Sequence, residues 1–127
     1  MAVKFYKCMH CGNEVDMIYD SGVNPVCCGT PMTELKANTK EGVATEKHIP
    51  VVKVDASQVT VTVGEVPHPM VAEHWIEWIY LITDKGAYRR VLKPGDKPEA
   101  YFGLAKDEKI LEAYAFCNIH GLWKVTL

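Results

Sequence analysis

The 127-residue sequence has no apolar run near the ~20 residues that a membrane helix needs. Its first eight residues lack the apolar stretch of a secretory signal. Charge of one sign is also missing: 14 Lys and Arg against 16 Asp and Glu leave a formal net charge of −2. That balance excludes a nucleic-acid binder working by bulk positive charge. There is no low-complexity tract and no internal repeat, and 48% apolar with 24% charged residues excludes wholesale disorder. The cysteines do not make an even set. There are five, which fits a disulfide framework poorly, so the expected setting is a reducing cytoplasm. The length suits one modest domain with a small appendage.

What is present is unevenly distributed. Residues 1–36 hold Cys8, Cys11, Cys27 and Cys28 but few large aliphatic residues. Such a segment buries too little apolar surface to fold alone, and a bound metal would staple it. Residues 37–46 are polar and read as a linker. From residue 47 the pattern is β. Val51, Val52 and Val54 form a β-branched run, and Gln58 to Val63 alternates valine with polar residues, the period of a half-buried strand. Residues 75–83 are nearly continuous apolar, as in a strand covered on both faces. Asp84-Lys85-Gly86 predicts a turn, with residues 87–92 returning as the hairpin partner. Residues 99–104, 110–117 and 122–127 are further strands, and no helix longer than a turn or two is expected. Six or seven short strands in this span predict a sandwich of two antiparallel sheets. Trp75, Trp78 and Trp123 read as core packing, as do Tyr114 and Phe116, on the strand face opposite Cys117.

Two clusters carry chemistry. Cys8-Met9-His10-Cys11-Gly12 is a C-x-x-C-G knuckle whose spacing turns both sulfurs onto one ion. Cys27 and Cys28 are adjacent, which predicts a distorted tetrahedron widened at that pair. Zinc and mononuclear iron both suit four such thiolates, an iron–sulfur cluster suits them less, and His10 reads as a solvated side chain. The second cluster is every remaining histidine, His48, His68, His74 and His120, with the remaining cysteine, Cys117. All lie in or beside predicted loops, and Cys117-Asn118-Ile119-His120 has knuckle spacing. Prolines 67 and 69 fix the backbone around His68. Four imidazoles and one thiolate suit iron better than zinc, which stops at four ligands, and leave one octahedral position open. A blue-copper carrier would use only two histidines and a weak axial group. A zinc-ribbon interaction module would leave the second cluster unexplained.

Together the two clusters resemble the two-iron superoxide reductases, or desulfoferrodoxins, over essentially the whole chain. The resemblance rests on the four N-terminal cysteines, Glu46-Lys47-His48, Pro67-His68-Pro69 with His74, and Cys117-Asn118-Ile119-His120-Gly121. It implies an all-β chain: a desulforedoxin-like domain over residues 1–36 with an Fe(Cys)4 centre at Cys8, Cys11, Cys27 and Cys28, then an immunoglobulin-like β-sandwich over residues 37–127. The sandwich would hold Fe(His)4Cys, with His48, His68, His74 and His120 equatorial and Cys117 axial. The implied reaction is one-electron reduction of superoxide to hydrogen peroxide without dioxygen release. A rubredoxin-like electron donor, a homodimer and a cytoplasmic setting are implied with it. Alone, Glu46 and Lys47 read as solvated linker charges. The resemblance makes Lys47 the residue that attracts superoxide and orients a proton-delivering water, and Glu46 a carboxylate able to take the sixth position on ferric iron.

Overall fold

The computed structural model describes residues 3–127. The chain forms two compact units, Met1–Lys36 and Ala37–Leu127. Among the described residues the one helical segment is a 3-10 turn, Thr45–Lys47, and no helix is long and apolar enough to cross a membrane. The protein is therefore all-β.

The first unit is built from very short strands: β1 (Phe5–Lys7), β2 (Glu14–Asp16), β3 (Val26–Cys27), β4 (Thr30–Pro31) and β5 (Thr33–Glu34). Three pair antiparallel in the order β2-β1-β5, and β3 pairs with β4. Its core cluster is small, Tyr6, Cys8 and Met32, with Met17 and Cys27 packed against it. So little burial cannot offset the conformational entropy of ordering the chain, so the cysteine cluster is part of the stabilising structure.

The second unit is the sandwich. One sheet has the order β10-β7-β6, from β6 (Pro50–Asp55), β7 (Gln58–Val63) and β10 (Glu99–Gly103). The other has the order β12-β11-β8-β9, from β8 (Ile76–Thr83), β9 (Ala87–Val91), β11 (Ile110–Cys117) and β12 (Gly121–Thr126). The alternation in β7 has its expected effect: Val59, Val61 and Val63 are fully buried while Thr60 and Thr62 are not. They meet Ile76, Ile79 and Leu81 of β8 and Ala113, Ala115 and Cys117 of β11 in one core. Burying each such valine or leucine contributes ~1.5–3 kcal/mol. Every residue of β8 except Glu77 is buried, which accounts for its nearly unbroken apolar run. Tyr114 and Phe116 are buried, and Phe116 stacks on Trp78 with ring centroids 5.5 Å apart.

The polar segment of residues 37–46 is anchored to β12 through Asn38. Asn38, at φ 58°, donates from its backbone N–H to Leu122 O and exchanges two side-chain bonds with the Lys124 backbone. An asparagine side chain here does what a strand backbone does elsewhere, which a polar composition cannot reveal.

The topology gathers functional residues at one end of the sandwich. The start of β6 pairs with the end of β7 through Pro50 and Val63. The end of β11 pairs with the starts of β8 and β12, through Cys117 with Ile76 and with Gly121. The segments entering and leaving these strand ends carry His48, His68, His74, Cys117 and His120.

Candidate metal centres

In the first unit the four thiols converge, with all sulfurs within 4.8 Å of one another. Cys8 and Cys11 are held by the knuckle: Gly12 N–H donates to Cys8 O, and Cys11 N–H donates to the Cys8 sulfur at 3.4 Å. Gly12 takes φ 86°, a left-handed conformation that glycine adopts without strain. The adjacent pair is made possible by Cys28 itself, which sits at φ 54° and swings its sulfur back toward Cys27 at 4.0 Å. Cys11 and Cys27 lie at 3.6 Å. Sulfurs ~2.3 Å from one tetrahedral ion are about 3.8 Å apart, so the donors fit one thiolate-bound ion, with the adjacent pair wider than its neighbour. Backbone N–H donation, first from Cys11, lowers the Cys8 thiol to about 6, whereas the Cys11 and Cys8 side chains push Cys28 up to about 12. Ionising all four together requires a cation among them. His10 is exposed.

In the second unit the histidines form a square. Neighbouring ring centroids are 4.6 Å apart for His48–His68 and His68–His74, and 5.0 Å for His74–His120 and His48–His120. The His48–His74 diagonal is 6.5 Å, close to the ratio of a square. Neighbouring rings are nearly perpendicular, with interplanar angles of 76° to 86°, and the diagonal pair is tilted by 31°. Cys117, fully buried, has its sulfur within 4.8 Å of ligand atoms of His48, His74 and His120.

Each donor has a local reason for its position. His48 caps the 3-10 turn, and its Nδ1 bonds Ala44 O at 2.7 Å. His68 Nδ1 bonds Pro69 O at 2.7 Å, and its backbone N–H donates to Val63 O. His74 forms a small antiparallel bridge with Val71. Cys117 ends β11 after a register shift that skips Glu77 and pairs Cys117 with Ile76; such irregularities re-aim side chains. His120 N–H donates to the Cys117 sulfur at 3.3 Å.

These bonds fix the chemistry of the centre. A carbonyl oxygen only accepts, so the Nδ1 atoms of His48 and His68 both carry hydrogen and their Nε2 atoms are bare in the neutral rings. Burial, the main cause, lowers the pKa of both, that of His68 to about 4, so the rings are neutral at pH 7. Yet the two Nε2 atoms face each other at 3.1 Å. Two lone pairs at that distance need a cation between them, and imidazole nitrogens ~2.1 Å from one ion at a right angle are about 3 Å apart. His74 Nε2 is buried with no hydrogen-bond partner, a second atom that a metal would satisfy. Burial raises the Cys117 thiol, opposed by the N–H groups of His120 and Ile119. Four imidazoles around one point exceed the two of a blue-copper site.

Lys47 is half-buried and adjoins the square electrostatically: the His74 pKa is lowered by burial, by His120 and by Lys47. Glu46 is exposed, and its backbone O accepts from Val66 N–H. It lines a cavity of about 420 Å3 whose walls include Ile49, Val52, Glu65 and Val125 and none of the five donors.

Three residues shape the centre without an obvious sequence signal. Trp123, expected in the core, is buried but lies against the His48 ring at 5.0 Å and donates from Nε1 to His120 O. Gly64 leaves room for the backbone of Glu46, Lys47 and Ile49; a Cβ there would lie 2.6 Å from Glu46 O. Asn118 bonds the residues on both sides of His74. Trp75 is only half-buried.

Residues 39–126 match the family described as Desulfoferrodoxin, and residues 2–35 match Desulfoferrodoxin, N-terminal domain. A desulfoferrodoxin of Nitratidesulfovibrio vulgaris is 49% identical over 121 residues, covering 95% of this chain and 94% of that protein. A superoxide reductase of Thermococcus kodakarensis is 36% identical over 96 residues, covering 62% of this chain and 84% of its own. Among solved structures, the superoxide reductase from Treponema pallidum matches with a TM-score of 0.85 at 35% identity, over 98% of both chains. The superoxide reductase (1Fe-SOR) from Giardia intestinalis matches with a TM-score of 0.56 at 33% identity, covering 65% of this chain and 97% of that one.

Proposed function

The chain belongs to the desulfoferrodoxin family of superoxide reductases, and on that premise we propose that it takes superoxide, one electron and two protons to hydrogen peroxide, releasing no dioxygen. It is an oxidoreductase, and its two donor sets match the family's two-iron arrangement, Fe(Cys)4 and Fe(His)4Cys. We assign Cys8, Cys11, Cys27 and Cys28 as ligands of the first iron, and His48, His68, His74, His120 and Cys117 as ligands of the second. The first 36 residues then form the Fe(Cys)4 domain and the remainder the catalytic sandwich. The observation that carries the reading is the facing pair of bare Nε2 atoms of His48 and His68 within the square of imidazoles.

Iron bound in this second set supplies a one-electron couple and one coordination position beyond its five protein donors. The protein's own groups do the rest. His48 and His68 are locked by their carbonyl partners, so neither ring reorients when the oxidation state changes. Four neutral imidazoles and one thiolate would bring only one negative charge to a divalent ion, so these residues would leave the site electropositive toward an anion. The Lys47 ammonium adds to that field, raises the encounter rate and orients the water that delivers a proton. The Glu46 carboxylate, which lines the cavity beside Ile49 and Val52, would swing in as the hard anion suited to a ferric ion.

A rubredoxin-type donor, a homodimeric assembly and a cytoplasmic setting complete the proposal. The Fe(Cys)4 centre serves either as a relay or as a scaffold, which a variant lacking it distinguishes. The test is stoichiometric. Protein carrying two irons per chain should consume superoxide and yield one peroxide per superoxide with no dioxygen, given an external reductant. Half a peroxide per superoxide with dioxygen evolved would identify dismutation and contradict the proposal.

A further inference from the structure

The second centre draws its ligands from three separate segments, and one side chain joins two of them. Asn118 lies between Cys117 and His120. Its Oδ1 accepts from Trp75 N–H at 2.9 Å, and its Nδ2 donates to Glu73 O at 3.0 Å. Its backbone N–H donates to Trp75 O at 3.2 Å. Both bonding partners of the side chain are immediate neighbours of His74. The orientation of the amide is unambiguous, because one end meets a donor and the other an acceptor.

His48 and His68 are each oriented by a ring Nδ1 bond to a carbonyl. The buried Nε2 of His74 makes no hydrogen bond and is the atom a metal would satisfy, so its aim depends on how the backbone on either side of His74 is held. Its remaining backbone anchor is the two-bond bridge to Val71, on the N-terminal side. The C-terminal side, at Trp75, is held by Asn118.

We infer that Asn118 is a positioning residue for the reaction: its amide clamps Glu73 and Trp75 so that His74 points into the square while the same loop presents Cys117 and His120. One side chain thereby fixes the relative placement of three ligands. Aspartate would keep the bond from Trp75 N–H but set a carboxylate oxygen against Glu73 O, and alanine would lose both side-chain bonds. Outer supports of this kind typically change metal retention by about 10- to 100-fold.

The inference rests on His74 being a ligand, and the experiment separates the two. Iron release from the reduced holoprotein is followed with a ferrous chelator in parent, Asn118→Ala, Asn118→Asp, His74→Ala and the double variant Asn118→Ala/His74→Ala. The Fe(Cys)4 absorption of the same samples reports whether the first unit is intact. Asn118→Ala is expected to release the second iron at least about tenfold faster, Asn118→Asp to fall between it and the parent, and the double variant to match His74→Ala. The ferric spectrum of the second centre should shift in both single alanine variants. If His74→Ala leaves release and spectrum unchanged, the ligand assignment fails. If His74→Ala changes them while Asn118→Ala and Asn118→Asp do not, or if the two effects simply add, the clamp is overturned. Should Asn118→Ala not fold, Asn118→Asp alone decides: parental release and spectrum refute the clamp.

Discussion

The Nε2 atoms of His48 and His68 face each other at 3.1 Å although each ring has already committed its hydrogen to a backbone carbonyl, Ala44 O for one and Pro69 O for the other. Neutral rings locked in this way are acceptors aimed at acceptors. The arrangement is stable only around a cation, so metal loading and folding of this end of the sandwich are linked.

Lys47 stands beside the square, close enough to lower the His74 pKa, after burial and His120. Lys47→Ala is expected to slow the second-order reaction with superoxide by up to about tenfold and to flatten its dependence on ionic strength, as loss of one steering charge requires. Pulse radiolysis across a salt series measures both. An unchanged rate and salt slope would remove Lys47 from the mechanism.

Glu46 lines a cavity whose walls include none of the five donors, so it is not needed to build the centre. Glu46→Ala should leave turnover nearly intact and change the absorption of the oxidised protein. If the oxidised spectrum does not move, Glu46 is not a ferric ligand.

Gly64 is required by space. A Cβ would lie 2.6 Å from Glu46 O, 3.0 Å from Ile49 O and 3.1 Å from the Lys47 carbonyl carbon, all backbone atoms of the segment presenting His48. Gly64→Ala should therefore cost ~1–3 kcal/mol of stability and reduce iron occupancy at the second centre while the Fe(Cys)4 spectrum persists. Denaturant titration and metal analysis check it. Full occupancy at parental stability would show that the turn yields freely.

Glu108 accepts bonds from the Thr83 hydroxyl, from Ala105 N–H at 2.8 Å and from the Tyr88 hydroxyl at 2.8 and 2.9 Å, tying the β8–β9 hairpin to the loop before β11. Those bonds, that of Thr83 first, hold its carboxyl below the usual value. A carboxyl with a lowered folded pKa stabilises the fold above the unfolded value of ~4.3 and loses that contribution as pH falls through the folded one. Glu108→Gln should lower the melting temperature at pH 7, and the gap to the parent should close between about pH 5 and pH 3. A gap unchanged across that range would contradict the account.

Much of this was legible in the sequence, for reasons that differ by region. Gln58–Val63 and Ile110–Cys117 fall where the pattern places them, because half-buried and fully buried strands leave distinct signatures over six to eight residues. The short strands of the first unit leave none: two or three residues are too few for a period, and the cysteine turns, with Cys28 in a left-handed conformation, set their course. Asn38 and Asn118 act through side-chain bonds to backbone distant in sequence, which composition does not encode. Trp123 was readable as buried, but not as the neighbour of His48, because that depends on where β12 begins relative to the turn at His120. The candidate residues could be read because the second unit has four histidines and one cysteine, and the fold brings His48, His74, Cys117 and His120 within 4.8 Å of one another, with His68 beside His48 and His74.

Iron K-edge X-ray absorption on reduced Cys27→Ser protein tests the central claim most directly, since disrupting the first centre leaves the second as the bound iron. The account predicts a shell of one sulfur and four imidazole nitrogens around that iron. A shell lacking sulfur, or holding fewer than four imidazoles, would contradict it.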